Sequence, residues 1–121
     1  MKEILLVGAG SAAGGVLRYL AGKLITLIYP YPFPLGTFLV NLMGSLIIGY
    51  AYGMASKGTT QAGLFLLLTT GFCGGFTTFS AFSMENILLL KNGQYLTAGL
   101  YIAASLLAGI LACLAGFQLG K

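Results

Sequence analysis

Apolar residues run along this chain in four long stretches, separated by short polar or proline-rich interruptions. The first extends from about Ile4 to Ile28, the second from about Leu35 to Ala55, the third from about Ala62 to Leu90 and the fourth from about Tyr95 to Leu119. An α-helix needs roughly 20 mostly apolar residues to cross the hydrocarbon of a bilayer. Each stretch meets that length, so the pattern predicts an all-α membrane protein: one domain over residues 1–121 with four transmembrane helices. The run after Lys2 continues past Leu20, so it reads as a retained first helix rather than a cleaved leader.

The interruptions have their own chemistry. Between the first two spans stands Tyr29-Pro30-Tyr31-Pro32-Phe33-Pro34. Proline removes a backbone donor and restricts the residue before it, which ends helices, and tyrosine suits the membrane–water interface. Ser56 to Gln61 and Lys91-Asn92-Gly93-Gln94 are polar turns. The third span is long, and its middle carries Gly71, Gly74 and Gly75 among Thr69, Thr70, Thr77, Thr78 and Ser80. Glycine is a poor helix former, so the expectation is a helix, an unwound break near Gly74 to Thr78, and a second helix. Non-helical backbone at membrane depth survives only where protein or a wet cavity surrounds it, and such breaks bind ions in transporters. Small residues on two spans invite close packing: Gly8, Ala12 and Gly15 on the first, and Ala104, Ala108 and Ala112 beside Ser105 and Gly109 on the fourth. They mark either a dimer seam or packing within one subunit.

Composition agrees. The chain is 58% hydrophobic and 7% charged, against roughly 25% charged residues in soluble domains. The net charge of +4 comes from singly scattered residues, with none of the clustered stripe that nucleic-acid binding requires. Histidine is absent, which removes the commonest general base and metal ligand. Cys73 and Cys113 form no paired motif and read as helix-packing residues. With four spans, Lys2, Lys57 and Lys121 share one side, while Lys23, Lys91 and an outward-snorkelling Arg18 share the other. The positive-inside bias is therefore nearly nil. Either charge is uninformative here, or copies insert both ways and pair antiparallel.

Candidate chemistry is confined to a few intramembrane polar residues. Arg18 and Glu85 lie within spans, where an isolated charge costs about 2.5–3.5 kcal/mol. Arg18 either attracts anions at a pore mouth or snorkels to the interface; Glu85 is either a proton carrier or a structural acceptor. Thr37, Asn41 and Ser45 recur every four residues and form a polar stripe. Asn41 either bonds across helices or offers its amide to an ion. Phe79 and Phe82 share a helical face, as do Ser80 and Ser83. Aromatic edges are electropositive, so inward-facing rings can attract a small anion without a formal charge, while hydroxyl and amide groups donate the remaining hydrogen bonds. Backbone carbonyls freed by a break can coordinate Na⁺.

These residues resemble the Fluc (CrcB-type) family of microbial fluoride channels. The match includes Gly14-Gly15-Val16-Leu17-Arg18-Tyr19, the run from Gly36 to Gly44 that contains Asn41, and above all Gly71-Phe72-Cys73-Gly74-Gly75-Phe76-Thr77-Thr78-Phe79-Ser80-Ala81-Phe82-Ser83-Met84-Glu85. The resemblance implies an antiparallel, dual-topology homodimer in the cell (inner) membrane, carrying fluoride outward along two pathways to relieve its toxicity. Fluoride enters acidified cells as HF, dissociates and is trapped; a passive channel lets the anion leave down its gradient. The resemblance further implies aromatic boxes from Phe79 and Phe82, a pore-lining donor at Asn41, and a polar lining that includes Ser80, Ser83, Tyr101 and Ser105. It implies a central structural Na⁺ held by the backbone carbonyls of Gly74 and Thr77. Ala81 departs from the family, which often has Thr there.

The chain carries no nucleophile–base set, metal cluster or phosphate-cradling motif, so no enzymatic activity is expected. Two rivals remain at this stage. A proton-coupled small-molecule exporter would have to use Glu85, and an assembly subunit without transport would need Phe79 and Asn41 only for stability.

Overall fold

The computed structural model describes residues Met1–Lys121. It is all-helical: α1 Lys2–Ile28, α2 Leu35–Ala55, α3 over residues 62–76, α4 Phe79–Lys91 and α5 Tyr95–Gly120. α3 and α4 together form the third apolar span, and all four spans are long and apolar enough to cross a membrane. Only 17 of 121 residues are buried, while leucines and isoleucines along α1 and α5 lie exposed. Those apolar outer surfaces require hydrocarbon as their solvent, so the molecule is a multi-pass membrane protein.

The ends of the helices follow from the interruptions in the sequence. α1 stops where Tyr29 turns to φ −136°, ψ 89° before Pro30, and Pro34 caps α2. Gly93 adopts φ +76° in the turn before α5, a conformation that glycine takes without strain. Within α3 the helix is not uniform: Ala62–Leu66 is α-helical, Leu67–Cys73 widens to a π-helix, and Gly74–Phe76 returns to α. Thr77 and Thr78 are then extended, at ψ 158° and 122°, before α4 begins. The non-helical backbone is thus shorter than the expected Gly74 to Thr78, because Gly74 to Phe76 remain helical.

Two helix pairs make the body. α2 packs along α5, and α1 packs along α3. Without a hydrophobic drive between helices in lipid, close backbone approach supplies the packing energy. On α1 the residues at the crossing are Gly10 and Gly14, both buried. A Cβ at Gly14 would strike the Phe72 carbonyl, and one at Gly75 would strike the Ser11 carbonyl. On the other pair, Gly49 meets the Cys113 carbonyl and Gly116 meets the Leu46 carbonyl. Of the small residues on α1 expected to pack at a dimer seam or within one subunit, Gly8 has no atom within 4 Å of a built Cβ and Ala12 is exposed, so neither packs within this subunit, while Gly15 is half-buried beside the Gly75 carbonyl. Gly8 and Gly10 differ by 200° around the helix at 100° per residue, so spacing alone did not tell which small residues face the neighbour.

The two faces can be separated by substitution. Gly14→Val should destabilise the protein by about 1–3 kcal/mol, the ordinary cost of overpacking, and Gly8→Ala should leave stability unchanged. Thermal unfolding in detergent, followed by loss of monodisperse protein, reads both.

Candidate functional site

The break between α3 and α4 is held by α2. Asn41 is the key residue: its Nδ2 donates to the Thr78 carbonyl at 3.1 Å, and its Oδ1 accepts from the Thr78 N–H at 2.8 Å. One carboxamide therefore satisfies both polar groups of the peptide that leaves the helix. The second Nδ2 hydrogen stays available, since a primary amide has two. Thr78 also caps α4, its hydroxyl accepting from the Ala81 N–H at 3.2 Å.

This diversion has a consequence for two other carbonyls. In an unbroken helix the Thr78 N–H would bond the Gly74 carbonyl, and the Ala81 N–H would bond the Thr77 carbonyl. Both donors are engaged elsewhere, by Asn41 and by the Thr78 hydroxyl. The Gly75 carbonyl, by contrast, accepts from Arg18 Nε at 3.2 Å. Gly74 and Thr77, like Phe76, thus have carbonyls that lose their helical donors at the break without a side-chain donor in exchange.

Around the break lies a groove of about 390 Å³. Asn41, Ser45, Gly74, Thr77, Phe79, Phe82 and Ser105 all line it, and no charged side chain does. The Phe79 and Phe82 rings stand 5.7 Å apart at 39° to one another. Phe82 packs on Tyr101, with centroids at 5.0 Å, while Phe79 is 79% exposed. Ser105 Oγ is buried without a hydrogen-bond partner. Tyr101 is fully buried behind Phe82 and outside the groove lining. Ser80 and Ser83 are exposed on the outer surface of α4, and Ser80 Oγ pairs with Thr78 Oγ1 at 3.2 Å.

The two intramembrane charges do not meet. Arg18 opens on a cavity of about 240 Å³ shared with Lys23, Thr37, Thr78 and Ala81. Glu85 opens on another, of about 340 Å³, beneath the Tyr29–Pro34 loop. Its Oε2 accepts from the Thr37 hydroxyl at 2.7 Å and its Oε1 from the Tyr101 hydroxyl at 2.9 Å. The Thr37–Asn41–Ser45 stripe is thereby divided: Thr37 anchors Glu85, Asn41 holds the break, and Ser45 faces the groove. Thr69, Cys73 and Thr78 join the groove lining without having been singled out for it from spacing. Their position beside the glycines was the available signal.

Comparison with known proteins adds a decisive observation. The family model described as CrcB-like protein, Camphor Resistance (CrcB), matches residues 5–117. The chain belongs to the CrcB family. Its relatives include the fluoride-specific ion channel FluC of Gloeothece citriformis, 48% identical over 121 residues and covering 100% of this chain and 98% of that protein. The protein of the same name from Bacteroides fragilis is 44% identical over 124 residues, covering 100% of this chain and 98% of the relative. That from Chlorobaculum tepidum is 46% identical over 125 residues, covering 100% and 96%. In this CrcB-family chain, the long glycine- and threonine-rich motif is the segment that forms the π-helix, the break and the start of α4.

Removing the amide that holds the break tests its role. Asn41→Leu leaves both polar groups of Thr78 without their side-chain partner, which should cost about 2–6 kcal/mol at roughly 1–3 kcal/mol per group. Chemical denaturation of the detergent-solubilised protein measures it. Thr37→Val, which removes a donor to Glu85 but not to the break, should cost less.

Proposed function

We propose that this chain is a fluoride-selective channel that passively releases cytoplasmic fluoride across the cell (inner) membrane. The observation that carries the reading is the uncharged groove in which Asn41, Phe79, Phe82 and Ser105 come together, in a chain matched over its whole length by fluoride-specific channels. Conduction needs binding that attracts an ion yet lets it go. Ring edges, an amide hydrogen and hydroxyls meet that need, whereas a buried ammonium would hold a small anion too tightly. Phe79 and Phe82 are the aromatic contacts, Asn41 and Ser105 the donors. Ser80 and Ser83 belong to the polar lining once a partner subunit encloses it, while Tyr101 supports that lining from behind Phe82.

The conducting unit on this reading is an antiparallel homodimer. Thr70, Gly74, Phe79, Ser80 and Ser83 are exposed on one chain. Hydroxyls and freed carbonyls facing lipid are costly, and a second copy covers them. The near-zero Lys/Arg bias supports insertion in both orientations. Dimerisation also brings two sets of Gly74 and Thr77 carbonyls to one axis, and their lost helical donors fit a small hard cation. Na⁺ bound there would neutralise the converging carbonyl dipoles and tie the subunits together. Glu85 is a structural acceptor for Thr37 and Tyr101, and no observation favours the exporter that would cycle protons through it.

Reconstituted liposomes test the function. Fluoride release should be rapid and chloride release negligible when ion-selective electrodes read both. Phe79→Ile and Phe82→Ile should each slow fluoride at least about tenfold, the rate equivalent of 1.4 kcal/mol at the barrier. Well-folded dimers that release no fluoride would overturn the reading. A Glu85→Gln variant that retains fluoride release would dispose of the exporter.

A further inference from the structure

Fluoride must reach the break from water, and the cavity beside Arg18 is built for an anion. Its walls are Arg18, Tyr19, Gly22 and Lys23 of α1, Gly36, Thr37 and Val40 of α2, and Thr78 and Ala81 at the break. Two cations line it and no carboxylate does. The nearest candidate for a neutralising charge, Glu85, opens on the adjoining cavity and has both carboxylate oxygens engaged by Thr37 and Tyr101. The two cations are placed differently. Arg18 is half-buried, and its Nε is tied to the Gly75 carbonyl, which fixes a charge next to the break. Lys23 is exposed and lies five residues further along α1, about 7.5 Å nearer the end of the helix.

We propose that Lys23 is the outer charge of a two-step anion mouth, recruiting fluoride from bulk water and passing it to the Arg18 side of the break. Lys23 acts at long range: it raises the local anion concentration in a water-filled cleft with low-dielectric walls and leaves selectivity to the groove. Fields in such clefts focus and increase ion arrival, and salt weakens them. The screening length falls from about 30 Å at 0.01 M salt to about 3 Å at 1 M. A recruiting charge is therefore strong in dilute solution and silent in concentrated salt, whereas a packing or folding role is indifferent to salt. The inference rests on the channel reading, and the wild-type arm of the test separates the two.

Purified dimers of wild type, Lys23→Gln, Lys23→Glu and Lys23→Arg are reconstituted, and fluoride release is measured per dimer at low and high ionic strength. Using purified dimers removes any effect of Lys23 on insertion in the cell. In dilute buffer Lys23→Gln should slow release about two- to threefold, the effect of one charge several ångströms away in a largely aqueous cleft. Lys23→Glu should slow it further and Lys23→Arg should match wild type. At about 1 M salt all four should converge, with chloride still excluded throughout. A Lys23→Gln rate equal to wild type in dilute buffer, or a deficit that persists unchanged in concentrated salt, would overturn the proposal. Wild-type dimers that release no fluoride at either salt would overturn the channel reading itself.

Discussion

A peptide that leaves its helix inside a bilayer must find new hydrogen-bond partners, because lipid offers none. In this chain that requirement falls on Thr78, and Asn41 meets it with both ends of one carboxamide. The rest of the site depends on that exchange. With Thr78 turned to α2, the Gly74 and Thr77 carbonyls are released from the ladder, and α4 restarts with Phe79 at the groove. Arg18 relieves the neighbouring carbonyl of Gly75. The motif residues are thus distributed between stabilising the break and leaving parts of it free.

The glycines make the exchange possible from the opposite side. Gly10 and Gly14 of α1 and Gly71 and Gly75 of α3 bring two backbones into contact, which places Arg18 within reach of the break. Gly44 on α2 faces Thr77 at a separation that leaves no room for a Cβ. Asn41 lies one turn earlier on the same helix. Glycines facing a neighbouring backbone on the α1 side and the Thr77 side chain on the α2 side therefore underlie packing and site geometry together. The π-helical stretch Leu67–Cys73 leads directly into this region, consistent with the tendency of π segments to occur at functional sites.

Charge is arranged so that opposite signs occupy separate cavities. Arg18 and Lys23 face one, Glu85 the other, and Thr37 lies on the boundary, lining both. The groove between Phe79, Phe82 and Asn41 carries no charge at all. On the proposed reading, formal charges attract a small anion at a distance, while neutral donors and ring edges handle it where water is stripped away. Ala81 sits in the cationic cavity rather than in the groove.

Much of this was legible in the sequence, for definite reasons. Four spans follow from length and hydropathy, since the bilayer dictates the length of any helix that crosses it. Proline and glycine at the interruptions set the ends of the helices, and the glycine–threonine run marked the site of the break to within a few residues. Two rings on one face at i, i+3 and the polar stripe on α2 were likewise visible as patterns. Tertiary structure alone decided the partners. Asn41 as a brace for Thr78, Gly10 and Gly14 as the packing face within the subunit, and the separation of Arg18 from Glu85 all depend on how helices rotate against one another. Hydropathy is nearly uniform around helices that meet lipid on one side and apolar protein on the other, so it carries little information about rotation. Steric contact between backbones, and the need to pair every buried N–H and carbonyl, supply it instead.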